Sequence, residues 1–367
     1  MKYIVGTSLN YDSVGVGRKI TEQIITFNIK KLNCSLYVLP IYENNNFLTK
    51  ILKRLPYINL HKHWKIDEIQ NEDYLYVRRF GEWDFASISF FLQIKKHNPY
   101  IKIVYELPTY PYDNEMHKNL KNIPLLLKDK WNRRYLYKFV DRIATLTDDK
   151  VIFGIPTLKI RNGIDIGKIR PRKARNTDVV HAIAVANFSW WHGYDRFIEG
   201  MKIYYASNPS RKMIFHLVGH GSEFGRYQKM VAEYGLREYV IFHGQQTGEA
   251  LDAIYDQCNL GIASLGFHRT GLTEGAPLKT REYLAKGLPF IFGAKVSDIS
   301  DEDKENIYLQ VPATDSPIDI GNILEFYDRI YSEGAEQVNK RLRQFAQDHF
   351  SMEAAMKEVI DFFKNGK

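Results

Sequence analysis

Glu274 and Glu282 are the residues whose type and spacing most suggest chemistry in this chain. They sit in the stretch from Thr273 to Pro289. There Pro277 suits the first turn of a helix, Gly287 suits the left-handed position that closes it, and Pro289 prevents its continuation. The apolar run Leu260–Ser264 just before reads as a buried strand. The helix therefore begins near the carboxyl end of a strand, where open α/β sheets bind ligands. Its first N–H groups and dipole favour an anion such as a diphosphate. Leu278, Glu282 and Lys286 share one face at four-residue spacing, with Lys279 beside Glu282. Carboxylates repel phosphate but bind hydroxyls well, so a sugar at one end and a ribose at the other would satisfy both glutamates. The spacing alone describes a solvated helix face equally well, and the rest of the chain has to decide.

Other polar groups fall at the ends of expected strands. Gly15 and Gly17, followed by Arg18, let backbone N–H groups approach a phosphate or an acceptor at a helix start. A plain tight turn explains them equally. Asn187, Ser189 and His192 follow a strand near 181–186, and Gly219 and Gly221 end another near 213–218. Glu106, Thr109 and Tyr110 follow Ile101–Tyr105 and are candidates for an acceptor side; Glu106 also fits a purely structural hydrogen-bonding role. Neither glycine pair completes G-x-G-x-x-G, since positions 20 and 224 are Ile and Phe, which argues against a dinucleotide-dependent oxidoreductase. Asp301-Glu302-Asp303 follows Ser300 and reads as an acidic helix start, not a metal site. His61 and His63 have no third ligand nearby in sequence, so no metal is expected.

The elements that must position these groups alternate between strand and helix patterns, which implies parallel sheets covered by helices. Strands are expected near 2–6, 34–39, 74–78, 101–106 and 142–146, with helices near 16–32, 83–97 and 117–139. Asn162–Asp165 is a turn signal, and the basic stretch 167–176 reads as an interdomain linker. A second series has strands near 181–186, 213–218, 239–243, 259–263 and 289–292, and helices near 194–206, 223–234, 248–256 and 277–286. Helices near 318–332, 335–349 and 353–365 close the chain. The 367 residues thus suggest two Rossmann-like domains, 1–165 and 166–349, with a terminal helix over 350–367 packing back on the first. Two cysteines give neither a disulfide scaffold nor a zinc cluster, and no apolar run reaches the length of a membrane span.

Charge is unevenly placed. Residues 1–165 carry 26 Lys and Arg against 17 Asp and Glu, whereas the remainder carries 25 against 26. The densest basic stretch, residues 118–138, is interleaved with Leu125–Leu127, Trp131, Tyr135 and Tyr137. That mixture suits a helix on an anionic membrane surface or against a pyrophosphate-bearing acceptor; it equally suits a helix whose aromatics pack on the sheet. Without a nucleic-acid motif, nucleic acid is not expected as a partner.

Glu274 and Glu282 resemble the E-x7-E motif of retaining glycosyltransferases of the GT-B fold, family 4 in particular. The resemblance extends to Asn162-Gly163-Ile164-Asp165, Val185–Ser189 with His192–Asp195, Phe215–Gly221 and Val240–Gly244, in order over roughly residues 155–290. The first half matches mainly through Gly15–Arg18.

The resemblance implies an α/β GT-B architecture with two doubly wound domains facing a central cleft. It implies a metal-independent, retaining hexosyltransferase that uses a UDP- or GDP-linked sugar as substrate and needs no further cofactor. Glu274 would hold donor-sugar hydroxyls and Glu282 the ribose. The family's basic pair at the diphosphate is absent, with Asn187, Ser189 and His192 in its place and Lys279 as a substitute cation. Pro277 stands where the family has Gly, leaving backbone contacts from Ala276 and Leu278. Gly219 and Gly221 would lie near the base. The family's first-domain His has no counterpart here, and the leaving phosphate could itself take the acceptor proton. The expected acceptor is a glycan or polyprenyl-diphosphate-linked saccharide of surface polysaccharide synthesis, used in the cytoplasm or at the inner face of the membrane. The alternatives are a non-catalytic nucleotide-sugar or glycolipid binding protein and a nucleotide-sugar epimerase of the same fold.

Overall fold

The computed structural model describes residues 1–6, 14–40, 64, 66–113, 123–175 and 177–366, with the backbone alone at 14 and 15. His61, His63 and residues 118–122 of the basic stretch lie outside the described residues. The chain divides into two units, Met1–Gly163 with Met352–Lys367, and Ile164–Ser351.

In the first unit the strands are β1 Lys2–Gly6, β2 Ser35–Leu39, β3 Tyr74–Arg78, β4 Lys102–Leu107, β5 Arg142–Thr145, β6 Val151–Ile152 and β7 Ile155–Lys159. They form one sheet in the order β2-β1-β3-β4-β5-β7-β6, parallel throughout except where β6 meets β7. Both faces of the central strands β1, β3, β4 and β5 are buried, which is why these read as nearly continuous apolar runs. Ile4, Leu75, Val77, Ile103 and Tyr105 pack on one side. Tyr3, Val5, Tyr76 and Val104 pack on the other, together with Phe27 from the helix Val14–Ile29 and with Met356 and Phe363 from the end of the chain. Phe27 and Phe363 meet edge to face at 6.3 Å. The helix Phe85–His97 starts where the Asp84 carboxylate accepts from Ser87 N–H, and ends in Lys95, Lys96 and His97, complementary to its dipole.

In the second unit, β8 Val180–Phe188, β9 Met213–Gly221, β10 Val240–Gly244, β11 Leu260–Ile262, β13 Phe290–Phe292 and β15 Tyr308–Gln310 form an all-parallel sheet ordered β10-β9-β8-β11-β13-β15. The chain winds one way from β8 to β10 and the other way from β11 onward. Its topological switch point therefore lies between β8 and β11. A separate two-residue ladder joins β12 Glu274–Gly275 to β14 Lys295–Val296.

The strands and helices expected in this half are present. The helix expected over 353–365 is broken at Met356 into Met352–Ala355 and Lys357–Asn365. The strands β6, β7, β12, β14 and β15 lie outside the stretches whose pattern predicts a strand. The basic stretch after residue 166 is not a loose linker. Arg170 bonds Asp252 (3.2 Å) and Asp256 (3.0 Å), and Arg172 bonds the Tyr331 hydroxyl (2.7 Å), all within the second unit.

Candidate active site

The loops leaving β8 and β11 are tied together at the switch point. Leu265 N–H donates to the His192 carbonyl at 2.7 Å, and Gly193 adopts φ 66°. A Cβ on Gly193 would lie 2.2 Å from the Gly266 nitrogen, so only glycine allows this crossing. Arg196, on the helix Tyr194–Ala206, is buried and gives its guanidinium to the carbonyls of Leu265, Pro312 and Ser316. Arg269 grips the Trp190 carbonyl (2.6 Å), Asp195 (2.9 and 3.1 Å) and Asp315 (2.7 Å). Both arginines therefore serve as structural cations that fix the loop.

Ser189 and His192 cap one another around the short turn Trp190–His192: Ser189 N–H donates to His192 Nδ1 at 3.0 Å, and the Ser189 hydroxyl accepts from His192 N–H. This assigns the proton of the neutral ring to Nε2. The ring lies between Trp191 (3.9 Å) and Tyr194 (5.5 Å). Burial, reinforced by the Lys279 ammonium, pushes its pKa down to about 3, so it is a neutral Nε2–H donor at physiological pH.

Lys279 approaches from the helix Leu278–Lys286. Its Nζ lies 3.4 Å from the Tyr194 hydroxyl, and burial lowers its pKa to about 7 against the partial support of Glu282. The structure thus gathers His192, Lys279 and Glu282, which lie as much as ninety residues apart in sequence, at one end of the sheet. The helix is held in place by Arg281, fully buried against Asp298 and stacked 4.1 Å from Phe350, and by Lys286, which pairs with Asp252. Pro277 is the residue before the first turn and not within it; its carbonyl accepts from Thr280 N–H at 3.1 Å. Gly287 closes the helix at φ 78°, with Leu288 N–H reaching back to the Tyr283 carbonyl at 2.8 Å.

The remaining candidates fall in different places. Ala276 is half-buried, Leu278 is exposed, and Glu274 is exposed on β12, paired in register with Lys295. Asn187 is exposed at the end of β8, opposite His220. Gly219 and Gly221 have φ of 128° and 142°, and a Cβ on either would strike the backbone of Ala186 or Phe188 at 1.9 or 2.4 Å. Close approach of β8 and β9 explains these two glycines without any ligand.

In the first unit, Gly15 and Gly17 lie in the first turn of Val14–Ile29, and Arg18 bonds Glu22 at 2.9 Å. Of the two roles the sequence allows Glu106, the structure shows the hydrogen-bonding one, not the acceptor-lining one. It is fully buried, with Arg78 on one carboxylate oxygen and the hydroxyls of Tyr76 (3.0 Å) and Tyr3 (3.3 Å) on the other. Burial acts to raise its pKa, but Arg78 and Lys19 outweigh it and hold the carboxyl below the ordinary value. Glu106 is the ionised centre of a core network. Thr109 is exposed, and Tyr110 packs edge to face on Phe153 at 5.8 Å. On the helix Ile123–Arg133, Leu127 and Trp131 face solvent, as does Tyr137 just beyond it, and Arg134 stacks on Trp131 at 3.4 Å.

Two groups escaped the sequence reading. The Tyr194 hydroxyl follows His192 closely enough to have been suspected. The clamp formed by Arg269 could not have been, because its partners are distant in sequence.

Residues 165–307 match the family described as Glycosyl transferases group 1. A search of curated proteins finds no match. Among solved structures the chain is similar to a glycosyltransferase from Rickettsia africae ESF-5, with 12% identity, TM-score 0.61, and 100% of this chain and 99% of that chain covered. It is similar to Anabaena Alr3699/HepE in complex with UDP (11%, TM-score 0.59, 98% of each chain). It is also similar to the lipopolysaccharide outer core galactosyltransferase WaaB (13%, TM-score 0.57, 98% of each chain). At these identities the likeness is one of fold, and that fold is GT-B.

Proposed function

With its second unit a glycosyl transferases group 1 domain over residues 165–307, we propose that this protein is a retaining, metal-independent glycosyltransferase using a nucleoside-diphosphate sugar. The observation that carries this reading is the grouping of Lys279, neutral His192 and Glu282 at the switch point. An ammonium and an Nε2–H donor beside a helix N-terminus form a diphosphate site. Glu282, one turn deeper, suits the ribose hydroxyls, and exposed Glu274 suits those of the donor sugar. The UDP held by the Anabaena neighbour supports a nucleotide donor.

In the reaction the bond from the anomeric carbon to the phosphate oxygen breaks, and the acceptor oxygen bonds to the same face of the sugar. The acceptor proton passes to the leaving phosphate. Negative charge accumulates on the diphosphate, where Lys279, His192 Nε2–H and the helix N-terminus stabilise it without a further base. The acceptor is a glycan or lipid-linked saccharide of surface polysaccharide synthesis, bound by the basic first unit, with exposed Leu127, Trp131 and Tyr137 and their neighbouring cations resting on the inner membrane face. Among the described residues no helix is long and apolar enough to cross a membrane.

Calorimetry and thermal melts with UDP, GDP and ADP, in EDTA and in magnesium, and with NAD as control, test the donor site. Binding of one nucleoside diphosphate in EDTA is the expected result. Binding only with metal, or stabilisation by NAD alone, would overturn the reading.

A further inference from the structure

Arg79 stands out among the arginines of the first unit. It follows β3 at the carboxyl edge of the sheet, beside the turnover of strand order between β1 and β3. Its guanidinium carbon lies over the Tyr112 ring, 3.7 Å from the centroid. Its Nε is buried and finds no acceptor, and no ion pair or hydrogen bond engages the rest of the side chain among the described residues.

The carboxylates around Tyr112 are already committed. Asp129 accepts from Trp83 N–H (2.8 Å), the Tyr112 hydroxyl (2.8 Å) and Arg133 (3.1 Å). Asp113 takes both arms of Arg133 (2.6 and 2.9 Å) and Lys130 (3.3 Å). Among the described residues these contacts set Arg79, Arg133 and Lys130 against Asp113 and Asp129, an excess of one positive charge. A guanidinium held over a ring is already positioned, and its planar fork matches an oxyanion with two parallel hydrogen bonds. Tyr110 and Phe153, beside Tyr112, add flat apolar surface.

We infer that Arg79 is an anchor for an oxyanion on the acceptor, such as a phosphate ester or a diphosphate. This deepens the glycosyltransferase reading and rests on it for the identity of the ligand as acceptor.

The test is made on the full chain with UDP saturating, so that the donor site is filled. Phenylglyoxal labelling read by peptide mass spectrometry follows Arg79, with the doubly paired Arg133 as internal reference. The probes are geranyl diphosphate, inorganic pyrophosphate and geraniol. Protection of Arg79 by geranyl diphosphate but not by geraniol is expected; protection by pyrophosphate as well assigns recognition to the oxyanion itself. Unchanged labelling with both phosphates, or protection by geraniol, would overturn the proposal. In parallel, Arg79→Gln should weaken geranyl diphosphate binding on the order of 10–100-fold, and Arg79→Lys less, because it keeps the charge and loses the fork. Equal affinity in Arg79→Gln would also overturn it. The labelling uses unaltered protein, so a folding defect in the variant leaves the test intact. UDP affinity, measured in the same samples, reports separately on the donor site.

Discussion

Replacing Lys279 by Met separates function from stability. Methionine keeps an unbranched apolar chain against Tyr194 and removes only the ammonium. If that ammonium binds the donor diphosphate, its loss removes a charged hydrogen bond, about 1.5–3 kcal/mol, or roughly 10–150-fold in UDP affinity. Turnover should fall further, by roughly 100–1000-fold, because the charge on the leaving diphosphate grows in the transition state. The effect on folding should have the opposite sign. The Lys279 pKa is lowered from 10.5 to about 7, so the charged form is disfavoured in the folded chain. Below pH 10 the unfolded chain therefore binds the proton more readily, and keeping this lysine costs stability. The melting temperature of Lys279→Met without ligand should thus stay level or rise.

The same shift predicts a pH dependence. Between pH 7 and 9 the unliganded side chain loses its proton and must regain it on binding, so UDP affinity should fall by up to about tenfold per pH unit. His192, at about 3, remains neutral across that window and adds no slope. Calorimetry at pH 7, 8 and 9 with wild type and variant, alongside thermal melts, completes the experiment. A variant that loses melting temperature and UDP affinity together, or a wild type whose UDP affinity is flat from pH 7 to 9, would refute the reasoning.

Three further outcomes are expected. Glu282→Ala should weaken UDP binding by about 1–3 kcal/mol, whereas Glu274→Gln should spare UDP affinity and remove turnover, as calorimetry and a donor-consumption assay would show. Gly219→Ala should lower stability by about 2–4 kcal/mol in chemical denaturation, because the new methyl meets the Ala186 carbonyl on a backbone at φ 128°. His181, His216 and His243 form a hydrogen-bonded row across β8, β9 and β10, with contacts of 2.9 Å. Burial, with the two neighbouring histidines, lowers His216 from 6.5 to about 3, and burial lowers the other two as well. The unfolded chain then takes up protons first, so the stability of the second unit should be full above about pH 6.5 and decline as pH falls towards 3. His216→Phe should flatten part of that decline.

The sequence by itself determined the fold class and most of the elements of the second unit. Alternation of apolar runs with amphipathic segments is a local signal, and so are Gly287 and Pro289 at a helix end and Ser300 at a helix start, where its hydroxyl accepts from Asp303 N–H. Periodicity also revealed which helix follows β11, and hence where Lys279 and Glu282 stand on it. The tertiary structure decided which polar residues are available for chemistry. Glu106 looked like a strand-end candidate, but three aromatic and basic neighbours on other strands, Tyr3, Tyr76 and Arg78, enclose it in the core. Arg196 and Arg269 are cations of the same unit as Lys279, yet backbone carbonyls and Asp195 consume them. Lys279 and His192 acquire shifted pKa values only because the loop after β8 and the helix after β11 meet. Burial and charge proximity are sums over neighbours distant in sequence, so no local pattern of residues can encode them.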